Sequence, residues 1–157
     1  KNIDVFVNNG VYTEQEAVAR AMVRLENYVK IINIEALTML KMAKQDIIPA
    51  VSDYVAELCS NVAAKKAVSE NIPCDTEKSL ISRLAALNDK FSAEVAKLEA
   101  LLAGIDKEDV RPASKAMAHK VIPQMQVVRG IADEMETLTS EDYWPYPSYT
   151  ELLYSVK

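Results

Sequence analysis

Apolar residues recur at alternating steps of four and three along one stretch of the chain, the period of a helix packed nearly parallel to a partner. They are Val18, Met22, Leu25, Val29, Ile32, Ala36, Met39 and Ala43. Thr13 and Glu16 precede this series with the spacing of a capping box, in which a hydroxyl and a carboxylate each satisfy a backbone donor. Further apolar residues widen the stripe, so the sequence predicts a long helix covered by more than one neighbour.

Two prolines interrupt the predicted helices. Pro49 lacks an amide donor and crowds the preceding turn, so we expect a break or kink near residues 46–48 before the apolar series resumes. A third stripe comprises Leu80, Leu84, Leu87, Phe91, Val95, Leu98 and Leu102. A fourth helix carries Ala118, Val121, Met125, Val128, Ala132, Met135 and Leu138, and Pro123 is expected to kink it.

These patterns predict an all-α fold, an elongated antiparallel bundle of three to four long, Pro-kinked helices with an aromatic C-terminal tail. The expected helices cover about 14–48, 49–70, 76–103 and 107–138. The short connections between them force neighbouring helices to run antiparallel. The bundle occupies 13–140, preceded by a linker at 1–12 and followed by an aromatic, Pro-rich tail with a short helix at 141–157. The first residue is Lys1 rather than Met, and the sequence reads as a piece excised from a longer protein.

Charge and composition argue against several classes of function. The net charge is −5 and the pI is near 5.0, whereas a nucleic-acid surface needs a concentrated excess of Lys and Arg. No apolar run approaches the roughly 20 residues that cross a bilayer, so we expect a cytoplasmic protein without membrane contact. Cys59 and Cys74 are too few for a disulfide framework.

The sequence offers no catalytic or cofactor constellation. Its three glycines are isolated, whereas phosphate-binding loops need several glycines within a few residues. The single histidine, His119, cannot build a multi-histidine metal centre, and we expect it to be a rim or half-buried residue with a local hydrogen bond. Glu35 stands among apolar residues and is expected in a partly buried ion pair. We therefore predict no catalytic residue, no metal and no cofactor in this chain.

The tail "EDYWPYPSYTELLYSV" is the candidate interaction segment. Pro145 and Pro147 favour an extended run that presents the neighbouring rings with little conformational entropy left to lose. Ser148 and Glu151 have capping-box spacing for a short terminal helix. The predicted interaction residues are Trp144, Pro145, Tyr146, Pro147, Tyr149, Leu152 and Leu153. Two alternatives stay open: the arm folds back onto its own bundle, or it docks on another domain or subunit.

Two motifs resemble the C-terminal region of type III glutamine synthetases. The first is "LENY" at 25–28 with "IEA" at 34–36, "TM" at 38–39 and "MA" at 42–43; the second comprises Trp144, Pro145, Pro147, Tyr149, Leu152 and Leu153. The resemblance implies an ATP-dependent parent ligase, using a divalent metal such as Mg²⁺, that joins ammonia to glutamate on a catalytic body preceding this region.

No motif of that catalytic body occurs here, so the resemblance implies a non-catalytic structural and assembly domain. Its partners would be the catalytic body of the same enzyme, neighbouring subunits of a homo-oligomer, or both. The alternative from the residues themselves is a stand-alone helical adaptor that captures another protein through its aromatic tail.

Overall fold

The computed structural model describes residues 2–154, and the side chains of all of these except Asn2, Tyr149 and Thr150. Its helical elements are α1 (Asn2–Asn8), α2 (Glu14–Met42), a first π segment (Ala43–Ile47), α3 (Ile48–Val68), α4 (Asp75–Ala103), α5 (Val110–Ala116), a second π segment (Met117–Val121), α6 (Ile122–Glu136) and α7 (Tyr149–Tyr154). No strand occurs in this described range, so the predicted all-α class is confirmed.

The start of α2 is fixed by the predicted capping box. The Glu16 amide donates to Thr13 Oγ1 at 3.2 Å, and the Thr13 amide donates to Glu16 Oε2 at 2.9 Å. Ahead of it, residues 2–8 of the predicted linker form α1. The Phe6 and Tyr12 rings lie 5.6 Å apart, which ties the end of α1 to the entry of α2.

Both prolines lie inside continuous helical backbone, two residues after a π segment. Pro49 follows the first π segment and Pro123 the second. In each case the π turn closes with a bond across five residues, from the Ile48 amide to the Ala43 carbonyl and from the Ile122 amide to the Met117 carbonyl. The wider turn accommodates a residue that lacks a donor and crowds the carbonyl four residues before it.

The backbone consequently does not leave the helix at residues 46–48. The two helices predicted on either side of Pro49 form one helical run of 55 residues, from Glu14 to Val68. A bend of the axis at either proline stays a prediction.

Polar contacts record the direction of the packed helices. Between the first long run and α4 they join Lys44 to Glu99, Ser52 to Asn88 and Lys65 to Glu77. The residue number falls on one helix as it rises on the other, so the helices are antiparallel. Between α4 and α6, Arg83 pairs with Glu134 at 2.7 Å and Gln124 donates to Glu94 at 2.7 Å, again antiparallel.

Helix α4 lies against both the first long helical run and α6, and its predicted apolar stripe forms the middle of the core. Leu84, Phe91, Val95 and Leu98 are at most 2% exposed. From the other elements, Val51, Met117, Val121, Val128 and Met135 are similarly buried. Burying these side chains is the main stabilising contribution to the fold, at about 1.5–3 kcal/mol for each large apolar residue.

Candidate docking site at the aromatic tail

A hydrogen-bonded turn at Ser140 redirects the chain after α6. The amides of Tyr143 and Trp144 donate to the Ser140 carbonyl at 2.9 and 3.0 Å. Just before the turn, Thr139 is buried and its hydroxyl donates to the Met135 carbonyl at 2.8 Å. The Thr139 bond reaches a carbonyl of the last helical turn, and the turn at Ser140 sends the tail back over the bundle.

Residues 143–146, the aromatic arm, contact the first long helical run. The Tyr146 hydroxyl donates to Asp46 Oδ2 at 2.9 Å, a carboxylate of the first π segment 100 positions away. The Tyr143 ring lies 5.2 Å from that of Tyr54 in α3. Trp144 is half-buried against the core, with its ring 6.5 Å from that of Tyr146. The arm is therefore anchored at two points on its own bundle.

The environment of Tyr146 perturbs its acidity. Burial, the hydrogen bond to Asp46 and the negative charge of that carboxylate together raise the pKa of its phenol to about 12, with burial the largest cause. Each effect disfavours the phenolate, because its charge would be partly desolvated and would face another anion. The protonated phenol is thus the form that the docked arm selects.

An apolar cleft of about 540 Å³ lies where the arm meets the bundle. α2, the first π segment, α4, α6 and the arm all contribute to its wall. The apolar lining comprises Ile34, Met39, Met42, Ala43, Ile47, Phe91, Met125, Val128, Ala132, Trp144 and Tyr146. The polar lining comprises Glu35, Thr38, Arg129, Asp133 and Glu136.

Beyond the arm, the chain forms a capped but exposed terminal helix. The Ser148 amide donates to Glu151 Oε2 at 2.7 Å and the Glu151 amide donates to Ser148 Oγ at 3.3 Å, which confirms the predicted second capping box. Leu152, Leu153 and Tyr154 are 62%, 69% and 80% exposed. Three consecutive exposed apolar side chains on α7 form a surface that a partner could cover.

The structure divides the predicted interaction residues into two groups. Trp144 and Tyr146 pack against their own bundle, whereas Leu152 and Leu153 are exposed, as are Pro145 and Pro147. The side chain of Tyr149 lies outside the described residues. Sequence reasoning missed Asp46 and Tyr54, the two residues that receive the arm. No local pattern marks them, because their partners lie about a hundred positions away.

Glu35 and His119, the two polar residues singled out from the sequence, are both exposed. Glu35 is exposed at the edge of the cleft, so the expectation of a partly buried ion pair is wrong. His119 is exposed, in agreement with the rim position and not with the half-buried one. Among residues 2–154, no group of three or more His, Cys, Asp or Glu side chains is placed to hold a metal ion. Within the same range, no helix combines the length and apolar content needed to span a bilayer.

Together these features define a class: an all-α domain whose aromatic arm folds back beside an apolar cleft. Residues 1–66, from α1 into α3, match the family model described as glutamine synthetase C-terminal domain. This part of the chain is therefore similar to the C-terminal domain of glutamine synthetases.

Curated relatives extend the match over the rest of the chain. A glutamine synthetase of Butyrivibrio fibrisolvens is 33% identical over 100% of this chain and 23% of its own length. A glutamine synthetase of Bacteroides fragilis is 26% identical over 96% of the chain and 21% of its own length. A type-3 glutamine synthetase of Dictyostelium discoideum is 24% identical over 98% and 22%. The chain thus spans less than a quarter of the length of these relatives.

Proposed function

We propose that this chain is the non-catalytic structural and assembly domain of a type III glutamine synthetase. The parent would be a cytoplasmic homo-oligomer that makes glutamine from glutamate, ammonia and ATP with a divalent metal such as Mg²⁺. Two findings support the proposal: the relatives carry the names of glutamine synthetases, one of them type-3, and each is more than four times the length of the aligned region.

The observation that carries the assembly role is the exposed apolar surface of α7. Leu152, Leu153 and Tyr154 stand on a helix whose start is capped and whose approach is anchored by the aromatic arm. A surface held in place in this way loses little conformational entropy when a partner covers it. We assign it to the catalytic body of the same enzyme or to a neighbouring subunit, which would bury these three side chains.

The direct test is binding of this chain to the separately produced upstream portion of the parent enzyme, measured by calorimetric titration. The variant Leu152→Ser/Leu153→Ser is expected to lose affinity by at least about 10-fold, because central apolar side chains of an interface contribute most of its binding energy. Circular dichroism should be unchanged, since both residues are exposed.

A matched control is Val68→Ser. Val68 is 81% exposed at the end of α3, away from the tail in the sequence, and its replacement should leave the affinity unchanged. Full affinity in the double Leu variant, or in a chain truncated after Leu138, would contradict the docking role of the tail.

The alternative function is a stand-alone adaptor that captures another protein through the same tail. It rests on the same exposed surface of α7, which a different protein could equally cover. The two proposed functions are distinguished by measuring glutamine synthesis and oligomer size in a parent enzyme that lacks residues 141–157. Normal activity and oligomer size would favour the adaptor, whereas loss of either supports the assembly domain.

A further inference from the structure

The cleft beside the arm has the size and lining of a small-molecule site. Its volume of about 540 Å³ lies within the range of roughly 300–1,000 Å³ that ligand pockets occupy. Phe91 and Val128 of the buried core contribute to its wall, and Met39, Met42 and Met125 also line it. Unbranched thioethers adapt to the shape of an apolar ligand without leaving voids.

Two aromatic rings form one corner of this cleft. The planes of Trp144 and Tyr146 are inclined at 73°, with their centroids 6.5 Å apart, and both side chains line the cleft. The hydrogen bond from Tyr146 to Asp46 holds the second ring in place. Fixed aromatic walls attract a cation through their quadrupoles, and cages of this kind recognise substituted ammonium groups.

The charged side chains that line the cleft are complementary to a cation. Three carboxylates line it, those of Glu35, Asp133 and Glu136, against the single guanidinium of Arg129. That guanidinium is itself engaged, because Arg129 Nε lies 3.6 Å from Asp133 Oδ2. The lining therefore carries a net negative charge beside a large apolar surface.

From this combination we infer that the cleft binds a hydrophobic cation, an alkyl- or arylammonium whose apolar part fills the space between Phe91 and Met125. The ammonium group lies at the aromatic corner, near Glu136. Because the ligand contacts both the bundle and the arm, it stabilises the docked arm and so favours one presentation of α7. The inference rests on residues of this chain and not on the proposed function.

Trp144 is the only tryptophan of the chain, so its fluorescence reports binding directly. We expect benzyltrimethylammonium to change its emission with saturation, whereas benzyl alcohol and phenylacetate, as neutral and anionic comparators, bind more weakly. The difference should be about threefold to tenfold, since a cation–π contact with a nearby carboxylate contributes that range of affinity. Equal or tighter binding of the anion, or no saturable change with the cation, would overturn the inference.

Two variants locate the site. Ala132→Leu places extra side-chain volume in the cleft and should abolish binding. Glu136→Gln should lower the affinity for the cation by about threefold to fivefold and leave the affinity for the alcohol unchanged. Glu108→Gln, at an exposed loop position after α4, is the matched control and should bind as the unchanged chain does.

Circular dichroism verifies that each variant is folded. Unaltered cation binding by a folded Ala132→Leu chain would place the ligand elsewhere. Absence of binding once the upstream portion of the parent is joined to the chain would show that the enzyme itself covers the cleft. Either result would overturn the inference.

Discussion

The two halves of the tail, the aromatic arm and α7, contrast sharply although only two residues separate them. The arm, residues 143–146, consists of rings with polar groups and lies against the bundle through a hydrogen bond and a ring contact. Helix α7 carries Leu152, Leu153 and Tyr154 outward at 62–80% exposure. When Tyr146 is partly buried, its hydrogen bond offsets the desolvation of the hydroxyl. An aliphatic side chain makes no such bond and is stabilised only when its apolar surface is covered.

The two halves of the tail therefore have different roles. The arm fixes where the tail leaves the bundle, and α7 provides the surface available to a partner. Changes to the arm should therefore alter the stability of this chain, whereas changes to α7 should alter association and leave stability nearly constant.

The largest expected effect tests that separation. Trp144→Ala/Tyr146→Ala should lower the free energy of unfolding by about 2–4 kcal/mol, because two large half-buried side chains are lost. Urea denaturation followed by circular dichroism measures it. Leu152→Ala/Leu153→Ala is the matched pair and should stay within about 0.5 kcal/mol of the unchanged chain. Equal losses in both double variants would abolish the distinction between arm and terminal helix.

A smaller effect isolates the polar anchor. Tyr146→Phe keeps the ring but removes the donor to Asp46, and should cost about 1–2 kcal/mol because the acceptor is charged. The control is Tyr143→Phe, which keeps its ring contact with Tyr54. If the two single variants unfold at the same urea concentration, the anchor lies in ring packing and not in the hydrogen bond.

Alkaline pH should loosen the same anchor. The pKa of Tyr146 in the docked arm is about 12, above its ordinary value of 10.0. The contribution of this phenol to docking is therefore complete below pH 10 and is lost as pH rises towards 12. Trp144 emission measured against pH should show this step, and Tyr146→Phe should lack it. A step of the same size in that variant would assign the transition to another group.

The smallest effect concerns α7 itself. Ser148→Ala removes the cap oxygen and should weaken this short helix by about 0.5–1 kcal/mol while global stability is unchanged. Amide hydrogen exchange at residues 151–154 should become faster. Ser148→Asp retains an acceptor at the cap and should restore slow exchange; if it does not, the capping bond is not what holds the helix.

Local features of this fold were predictable because their causes lie within a few residues. Both capping boxes and the apolar stripe from Leu84 to Leu102 occur as the sequence indicated. The π segments were not predicted, because a proline pattern does not reveal whether the helix breaks or widens by one residue. The contact between Tyr146 and Asp46 was not predictable either, since spacing carries no information about residues 100 positions apart.

The unbroken helical run from Glu14 to Val68 also sets a distance. From its cap at Thr13 to the anchor at Asp46 the backbone advances about 50 Å, at 1.5 Å per residue. The long helix thus acts as a spacer between α1 and the point where the arm docks. Adding or removing two helical turns between them would move one end by about 10 Å relative to the other without altering either surface.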